Sequence, residues 1–318
     1  MTEPKGEWQL IDWIRGRTRL DPATVPIGPG DDMALVDLGE SGCLVTTDTL
    51  LEGTHFDLAT ATPRQVGYKA MAVSLSDAAA MAAEPVCAVA WVGLPEARDM
   101  AFAEELCLGL SDAAARFACP VVGGDVTSWP HPLAIGTSLV ARPAGVEPVR
   151  RSGARPGDVL LVTGEVGGSV LGRHLEFVPR VKEARLLARA ATLHAMIDLS
   201  DGLSTDLGHV VRESGVSAEV EAAAIPISAD AEQLARTDGR SPLDHALNDG
   251  EDFELLLAVP PEDGRRLVED NPLGNVRLTP IGRITEGSGV TIIGADGERR
   301  SLDPGGYEHF RSDGGEAS

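Results

Sequence analysis

The segment Met71-Ala72-Val73-Ser74-Leu75-Ser76-Asp77-Ala78-Ala79-Ala80-Met81 places a single carboxylate in a run of small and apolar residues. It reads as part of a long Ala-rich helix over residues 64–83. A carboxylate in such surroundings is expensive unless it is paired or bound to a cation. At helical spacing Lys69, Val73, Asp77 and Met81 share a face, which puts the lysine two turns away, a distant partner. Taken alone, Asp77 fits a cation ligand and a hydrogen-bonded helix residue facing a crevice equally well.

On either side of this helix, strand and helix patterns alternate. Before it, a helix over 7–15 leads through a Gly- and Pro-rich turn (26–30) into strands over 33–37 and 43–48. After it come a strand (86–93), a helix (100–117) and strands over 120–123 and 133–141. The cluster Arg151-Ser152-Gly153-Ala154-Arg155-Pro156-Gly157-Asp158 reads as a linker-like turn. Beyond it the pattern gives strands at 159–163, 195–198 and 217–220, and helices at 169–176, 181–193 and 202–214. Residues 253–259 form a nearly continuous apolar run, the mark of a strand buried on both faces. The expectation is an α/β (α+β) protein of two units, 1–145 and 146–318, with a frayed tail over 311–318.

Other acidic residues repeat the theme of Asp77. They sit at expected strand ends or in turns flanked by Gly, Ser or Thr: Gly30-Asp31-Asp32, Thr46-Thr47-Asp48-Thr49, Gly123-Gly124-Asp125, Asp198-Leu199-Ser200-Asp201-Gly202 and Gly250-Glu251-Asp252. One Asp-Gly turn is ordinarily an Asx-turn or a helix cap. The recurrence weakens that reading. Hard oxygen ligands without nearby Cys or His pairs suit Mg²⁺ rather than zinc.

The 318 residues carry a net charge of -22, which disfavours nucleic acid and anionic membranes as partners. The only lysines are Lys5, Lys69 and Lys182, so a polyphosphate site here would need metal ions, arginine or backbone N–H groups. Cys43, Cys87, Cys107 and Cys119 have no C-x-x-C spacing and read as buried thiols of a reducing compartment. The opening residues read as an amphipathic helix rather than a signal peptide, and the most apolar stretch, 70–94, is broken by Asp77 and Glu84. A cytoplasmic protein is expected. There is no G-x-x-x-x-G-K-[ST], no H-R-D or D-F-G set, no G-x-S-x-G and no H-E-x-x-H.

The order of these motifs resembles the thiamine-monophosphate kinase family, within the PurM-like superfamily of ATP-using enzymes. The resemblance rests on G-D-D at 30–32, T-T-D-T-L-L-E-G-T-H-F at 46–56, G-Y-K-A-M-A-V-S-L-S-D-A-A-A-M at 67–81, V-G-G-D at 122–125, R-S-G-A-R-P-G-D at 151–158, I-D-L-S-D-G-L at 197–203, G-E-D-F-E-L at 250–255 and G-G-Y-E-H-F at 305–310. It spans nearly the whole chain. It implies two α/β domains, with N-terminal domains pairing in a homodimer. It implies ATP and thiamine monophosphate as substrates, several Mg²⁺ ions and a monovalent cation such as K⁺. By this resemblance Asp32, Thr46, Thr47, Asp48, Asp77, Asp125, Asp198 and Asp201 form the metal shell. Gly124, Asp125, Arg151 and Ser200 lie along the nucleotide, and His55, Glu251 and Tyr307 line the thiamine monophosphate pocket. The chain departs from the family's Gly-Gly-Glu-Asp-Tyr at Asp249 and Phe253, both at the acceptor end.

Related superfamily enzymes fit less well. A selenophosphate synthetase would carry a reactive Cys near its start, whereas the first here is Cys43 in an expected strand. A hydrogenase-maturation carbamoyl dehydratase would end in Cys, and the last residues here are Glu316-Ala317-Ser318. The motif wording matches aminoimidazole ribonucleotide synthetase less closely. A catalytically silent nucleotide- or cation-binding protein would not need the full set of acidic turns.

Overall fold

The computed structural model describes residues 20–39 and 42–307, together with Asp12, Arg15 and Gly16. The tail 311–318, the end of the 305–310 motif and most of the expected 7–15 helix lie outside the described residues.

The first sheet contains β1 (Ala34–Asp37), β2 (Gly42–Leu51), β3 (Glu84–Pro95), β4 (Val121–Trp129) and β5 (Ala134–Arg142). Its strand order is β1-β2-β5-β3-β4, and only β3 and β4 run parallel. Helices α1 (Pro63–Ala80) and α2 (Met100–Arg116) cover one face. On the other face Val45, Leu51 and Val89 stay exposed.

The second sheet contains β6 (Val159–Thr163), β7 (Ala195–Asp198), β8 (Ser217–Glu221), β9 (Leu255–Val259), β10 (Leu278–Thr285), β11 (Gly289–Ile293) and β12 (Arg299–Ser301). Its order is β12-β11-β8-β10-β6-β9-β7, with only β8 and β11 parallel. The helices of this half are α3 (Arg173–Glu176), α4 (Val181–Ala190), α5 (Leu203–Ser214), α6 (Ala229–Asp238), α7 (Pro242–Asn248) and α8 (Pro261–Asp270). The helix expected over 169–176 is broken at Gly172, whose φ of 129° ends a short 3-10 turn before α3 begins.

The central element is α1. Thr62 and Gln65 form a reciprocal capping box at its start, with Pro63 pre-set for the first turn. The helix has no polar stripe because it is covered on all sides: β2 and β5 lie below it, α2 beside it, and α3, α4 and β7 of the second half beyond. The core of the first sheet therefore continues past α1 onto Leu161, Met196, Leu255, Leu257 and Val259. Leu256 and Ala258 belong to a second core on the opposite face, which explains the apolar run of β9.

Two expectations need correction. Asp48 and Asp125 are not at strand ends. β2 continues through Thr49-Leu50-Leu51 by pairing with Gly136-Ile135-Ala134, and β4 runs on to Trp129 beside β3. The thiols are not uniformly buried either: Cys119 is, Cys43 and Cys87 are half-buried, and Cys107 is exposed.

Candidate active site

The polar residues of α1 point three ways. Ser74 donates to Asp48 Oδ2 at 2.6 Å, Ser76 donates to Asp198 Oδ2, and Asp77 Oδ2 accepts from the Thr46 hydroxyl. Thr46 and Asp48 reach α1 together because alternate residues of β2 share a face. Asp198 ends β7, and Asp32 lies just before β1. Oxygens of Asp32, Asp77 and Asp198 lie within 4.8 Å of one another.

These carboxylates stand in mutual repulsion. Burial pushes Asp77 well above the usual carboxylate range, and Asp48, Asp198 and Asp32 push it further. Burial, aided by Asp32, raises Asp198 to about 7. Burial also raises Asp48, against the bond from Ser74. Arg151 supplies one counter-charge, its Nη2 lying 2.7 Å from Asp32 Oδ1. Asp32 Oδ2 is buried with no hydrogen-bond partner among the described residues. Crowded hard oxygens with one orphaned lone-pair donor fit a bound Mg²⁺.

Beside this cluster opens a cavity of about 560 Å³. Asp48, Ser200 and Asp201 line it, with Leu50, Val73 and Phe253 as apolar lining. His55, Asp249, Glu251 and Tyr307 also line it. The His55 and Tyr307 rings are tilted at 57° with centroids 6.5 Å apart. Glu251 is in a left-handed conformation (φ 54°), and its N–H donates to the Ser200 carbonyl at 2.7 Å. That bond ties the loop of residues 250–253 to the Asp198–Asp201 turn.

Not every expected residue joins. The Thr47 side chain lies on the opposite face of β2 from Thr46 and Asp48, bonded to the Thr137 carbonyl and to Ser138, although the residue borders the cavity. Gly124 and Asp125 sit on the exposed edge strand β4. The register runs Asp48, Thr137, Ala90, Gly124 across the sheet, so Gly124 is three strands from Asp48, or roughly 14 Å. Gly124 has a local structural reason, since a Cβ there would meet the Ala90 carbonyl at 1.9 Å. Arg151, expected along the nucleotide, is engaged with Asp32. Asp201 stands apart from the three-carboxylate cluster, near Asp206 and His209.

The sequence reading missed several supporting residues. Ser74 and Ser76 stand in the quoted segment, and their hydroxyls inside an apolar helix were the available signal. Asp206 is buried and accepts the N–H groups of Asp201 and Gly202 at 3.1 Å each, which fixes the turn that carries Asp201. Lys69 does not pair with Asp77; its Nζ meets Glu251 Oε1 at 2.6 Å. Asp249 is not a strained intruder. Its φ of -69° is helical, and its carboxylate takes bonds from Arg240, His245 and the Gly168 N–H.

Fold and cluster together define a class, the AIR synthase related proteins: residues 30–142 match the N-terminal domain of that family and residues 155–295 its C-terminal domain. A thiamine-monophosphate kinase of Rhodopirellula baltica is 37% identical over 318 residues, 96% of this chain and 98% of the relative. One from Escherichia coli K12 is 37% identical over 331 residues, again 96% and 98%. A solved structure, AaThiL complexed with AMPPCP and TMP, superposes with a TM-score of 0.81 at 31% identity, covering 96% of this chain and 97% of that one. The chain belongs to the thiamine-monophosphate kinase family.

Proposed function

We propose that the chain transfers the γ-phosphoryl group of ATP to the phosphate of thiamine monophosphate, giving ADP and thiamine diphosphate. The observation that carries this reading is the meeting of two unlike groups of residues at one cavity. The buried, mutually repelling carboxylates Asp32, Asp77 and Asp198 adjoin it through Asp48, which lines the cavity together with His55, Glu251 and Tyr307. An anionic site can hold polyphosphate only through cations, and an apolar and aromatic end suits a cationic heterocycle.

The transfer is direct and in line. A terminal oxygen of the acceptor phosphate forms the new bond to the γ-phosphorus as the bond to the ADP oxygen breaks. That oxygen is already largely deprotonated near neutral pH, so no general base is required. This agrees with the carboxylates that line and adjoin the cavity. Positioning and charge neutralisation then carry the rate. Asp32, Asp48, Asp77 and Asp198 would hold Mg²⁺, with Thr46 orienting Asp77 and with Thr47 and Asp201 at the margin. When bound, Mg²⁺ would screen the two phosphate chains from each other. Arg151 holds Asp32 and borders the nucleotide with Ser200. A monovalent cation such as K⁺ belongs to the same reading.

The reading includes a homodimer in the cytoplasm, with units dividing near residue 145. An exposed sheet face bearing Val45, Leu51 and Val89 and an open edge at β4 support self-association. In that dimer Gly124 and Asp125, three strands from Asp48 in their own chain, would border the nucleotide from the β4 edge. No helix among the described residues is long and apolar enough to cross a membrane.

The test is ADP release with ATP, Mg²⁺ and K⁺, comparing thiamine monophosphate, thiamine and an aminoimidazole-pathway substrate. Turnover with thiamine monophosphate alone, abolished by EDTA, is the expected result. Binding of ATP and Mg²⁺ without that turnover would move the acceptor to another member of the superfamily.

A further inference from the structure

Lys69 is wholly buried on α1. An ammonium group taken out of water costs several kcal/mol unless its partners are well placed. Its Nζ has two partners: Glu251 Oε1 at 2.6 Å and the His55 carbonyl oxygen at 2.6 Å. Both belong to the acceptor end of the cavity, and they come from different parts of the fold. His55 follows β2 in the first half, and Glu251 precedes β9 in the second.

Neither partner is held firmly by secondary structure. His55 sits in a turn outside the strand, its Nδ1 accepting the Leu51 N–H at 3.0 Å. Glu251 lies in a loop where Gly250, Glu251 and Phe253 all have positive φ, at 73°, 54° and 50°. Left-handed backbone at non-glycine residues persists only where the surroundings over-determine it. At Glu251 itself two contacts do so, its N–H to the Ser200 carbonyl and its carboxylate to Lys69, while Phe253 is held by its own N–H to the Leu199 carbonyl and Asp252 by Gly167, Ser169 and Arg173. The Glu251 side chain is 29% exposed, toward the cavity, while Lys69 is not exposed at all. The lysine therefore contacts no ligand. It acts through the residues that do.

We infer that Lys69 is a positioning residue that pins Glu251 and His55 across the junction of the two halves and thereby sets affinity for the phosphate acceptor, not for ATP. The inference rests on the reading of the cavity as the thiamine monophosphate site.

The experiment is steady-state kinetics of full-length wild type, Lys69→Met, Glu251→Gln and the double variant, varying each substrate in turn. Lys69→Met keeps the length of the side chain and removes its charge. The expected result is an acceptor KM raised about tenfold in each single variant, with the KM for ATP moved less than about twofold. Residues acting as a unit are non-additive, so the double variant should match the worse single within about threefold. An unchanged acceptor KM in folded Lys69→Met, or an equal rise in both KM values, would overturn the inference. Should Lys69→Met fail to fold because it strands the Glu251 carboxylate, the double variant has no such charge and is compared with Glu251→Gln alone. A further tenfold rise there would mean that the two side chains act independently, which also overturns it. Wild type without turnover on thiamine monophosphate would sink the acceptor reading itself, whereas normal wild-type turnover with an unmoved variant sinks only the role of Lys69.

Discussion

Ser76 of α1 donates its hydroxyl to the carboxylate of Asp198, 122 residues further along the chain, joining the central helix of the first half to the last residue of β7 in the second. The bond is buried, and hydrogen bonds to charged groups contribute about 1.5–3 kcal/mol. Ser76→Ala should therefore lower kcat/KM by about tenfold while leaving the far-ultraviolet circular dichroism unchanged. A full-rate variant would show that Asp198 is held by other contacts.

Asp77→Asn removes one carboxylate from the cluster and keeps its shape. Burial and three neighbouring carboxylates already disfavour its charge, so the fold should tolerate the amide or gain from it. Catalysis should not: kcat is expected to fall by orders of magnitude, about 10³-fold, as for other lost charge-stabilising groups. Stopped ADP release with normal thermal stability is the signature. Near-normal turnover would contradict the assignment of Asp77 to the metal shell.

Proton linkage gives a third prediction. The folded-state value of Asp198 is about 7 against an ordinary 3.8, and Asp77 is raised in the same direction. The folded protein thus holds protons that the unfolded chain releases. Stability from this source is present at low pH and lost as pH rises through about 7. In EDTA the thermal midpoint should drop between about pH 6 and about pH 8. Mg²⁺ needs the ionised carboxylates, so the midpoint shift that it causes should be larger at the higher pH. Scanning fluorimetry at both pH values, with and without metal, decides it. A Mg²⁺ shift that shrinks with pH would count against the cluster as its site.

Asp249 departs from the pattern that the sequence resemblance implies, yet its carboxylate is bonded to Arg240, His245 and the Gly168 N–H. Asp249→Gly should cost about 1–2 kcal/mol of stability through the lost bonds and the loosened chain. Acceptor KM should change by no more than about threefold, because the charge is spent within the protein. Chemical denaturation and kinetics on one preparation separate the two effects. Asp249 also lines the cavity, so a large fall in KM would show that its carboxylate acts on the acceptor despite these bonds.

The crossing of α1 and α2 gives the last. A Cβ on Gly67 would meet the Leu106 carbonyl at 2.0 Å, and one on Gly109 would meet the Arg64 carbonyl at 1.9 Å. The helices touch backbone to backbone, and neither side can yield by rotating a side chain. Gly67→Ala should destabilise by about 3 kcal/mol, at the upper end for overpacking. Urea unfolding measures it. Because α1 carries Ser74, Ser76 and Asp77, activity should fall as well.

The sequence by itself determined that Asp77 needed a partner or a cation, because an isolated carboxylate among Ala, Leu and Met cannot be left bare. It determined the family, since the acidic turns follow one another in a recognisable order. It also placed most elements of the first half, where hydrophobic period and capping agree. It did not reveal α6, α7 and α8, which have short apolar stripes and polar surroundings, nor β10, interrupted by Pro280 and Gly282, nor the short β11 and β12. Only the tertiary structure decided which carboxylates meet. Asp32, Asp77 and Asp198 converge while Asp125 stays on a distant edge, and no local pattern carries that difference. The same holds for Lys69, whose partner is Glu251 and not Asp77. Residue type fixes what a side chain requires. The packing of α1 between the two sheets fixes which neighbour supplies it.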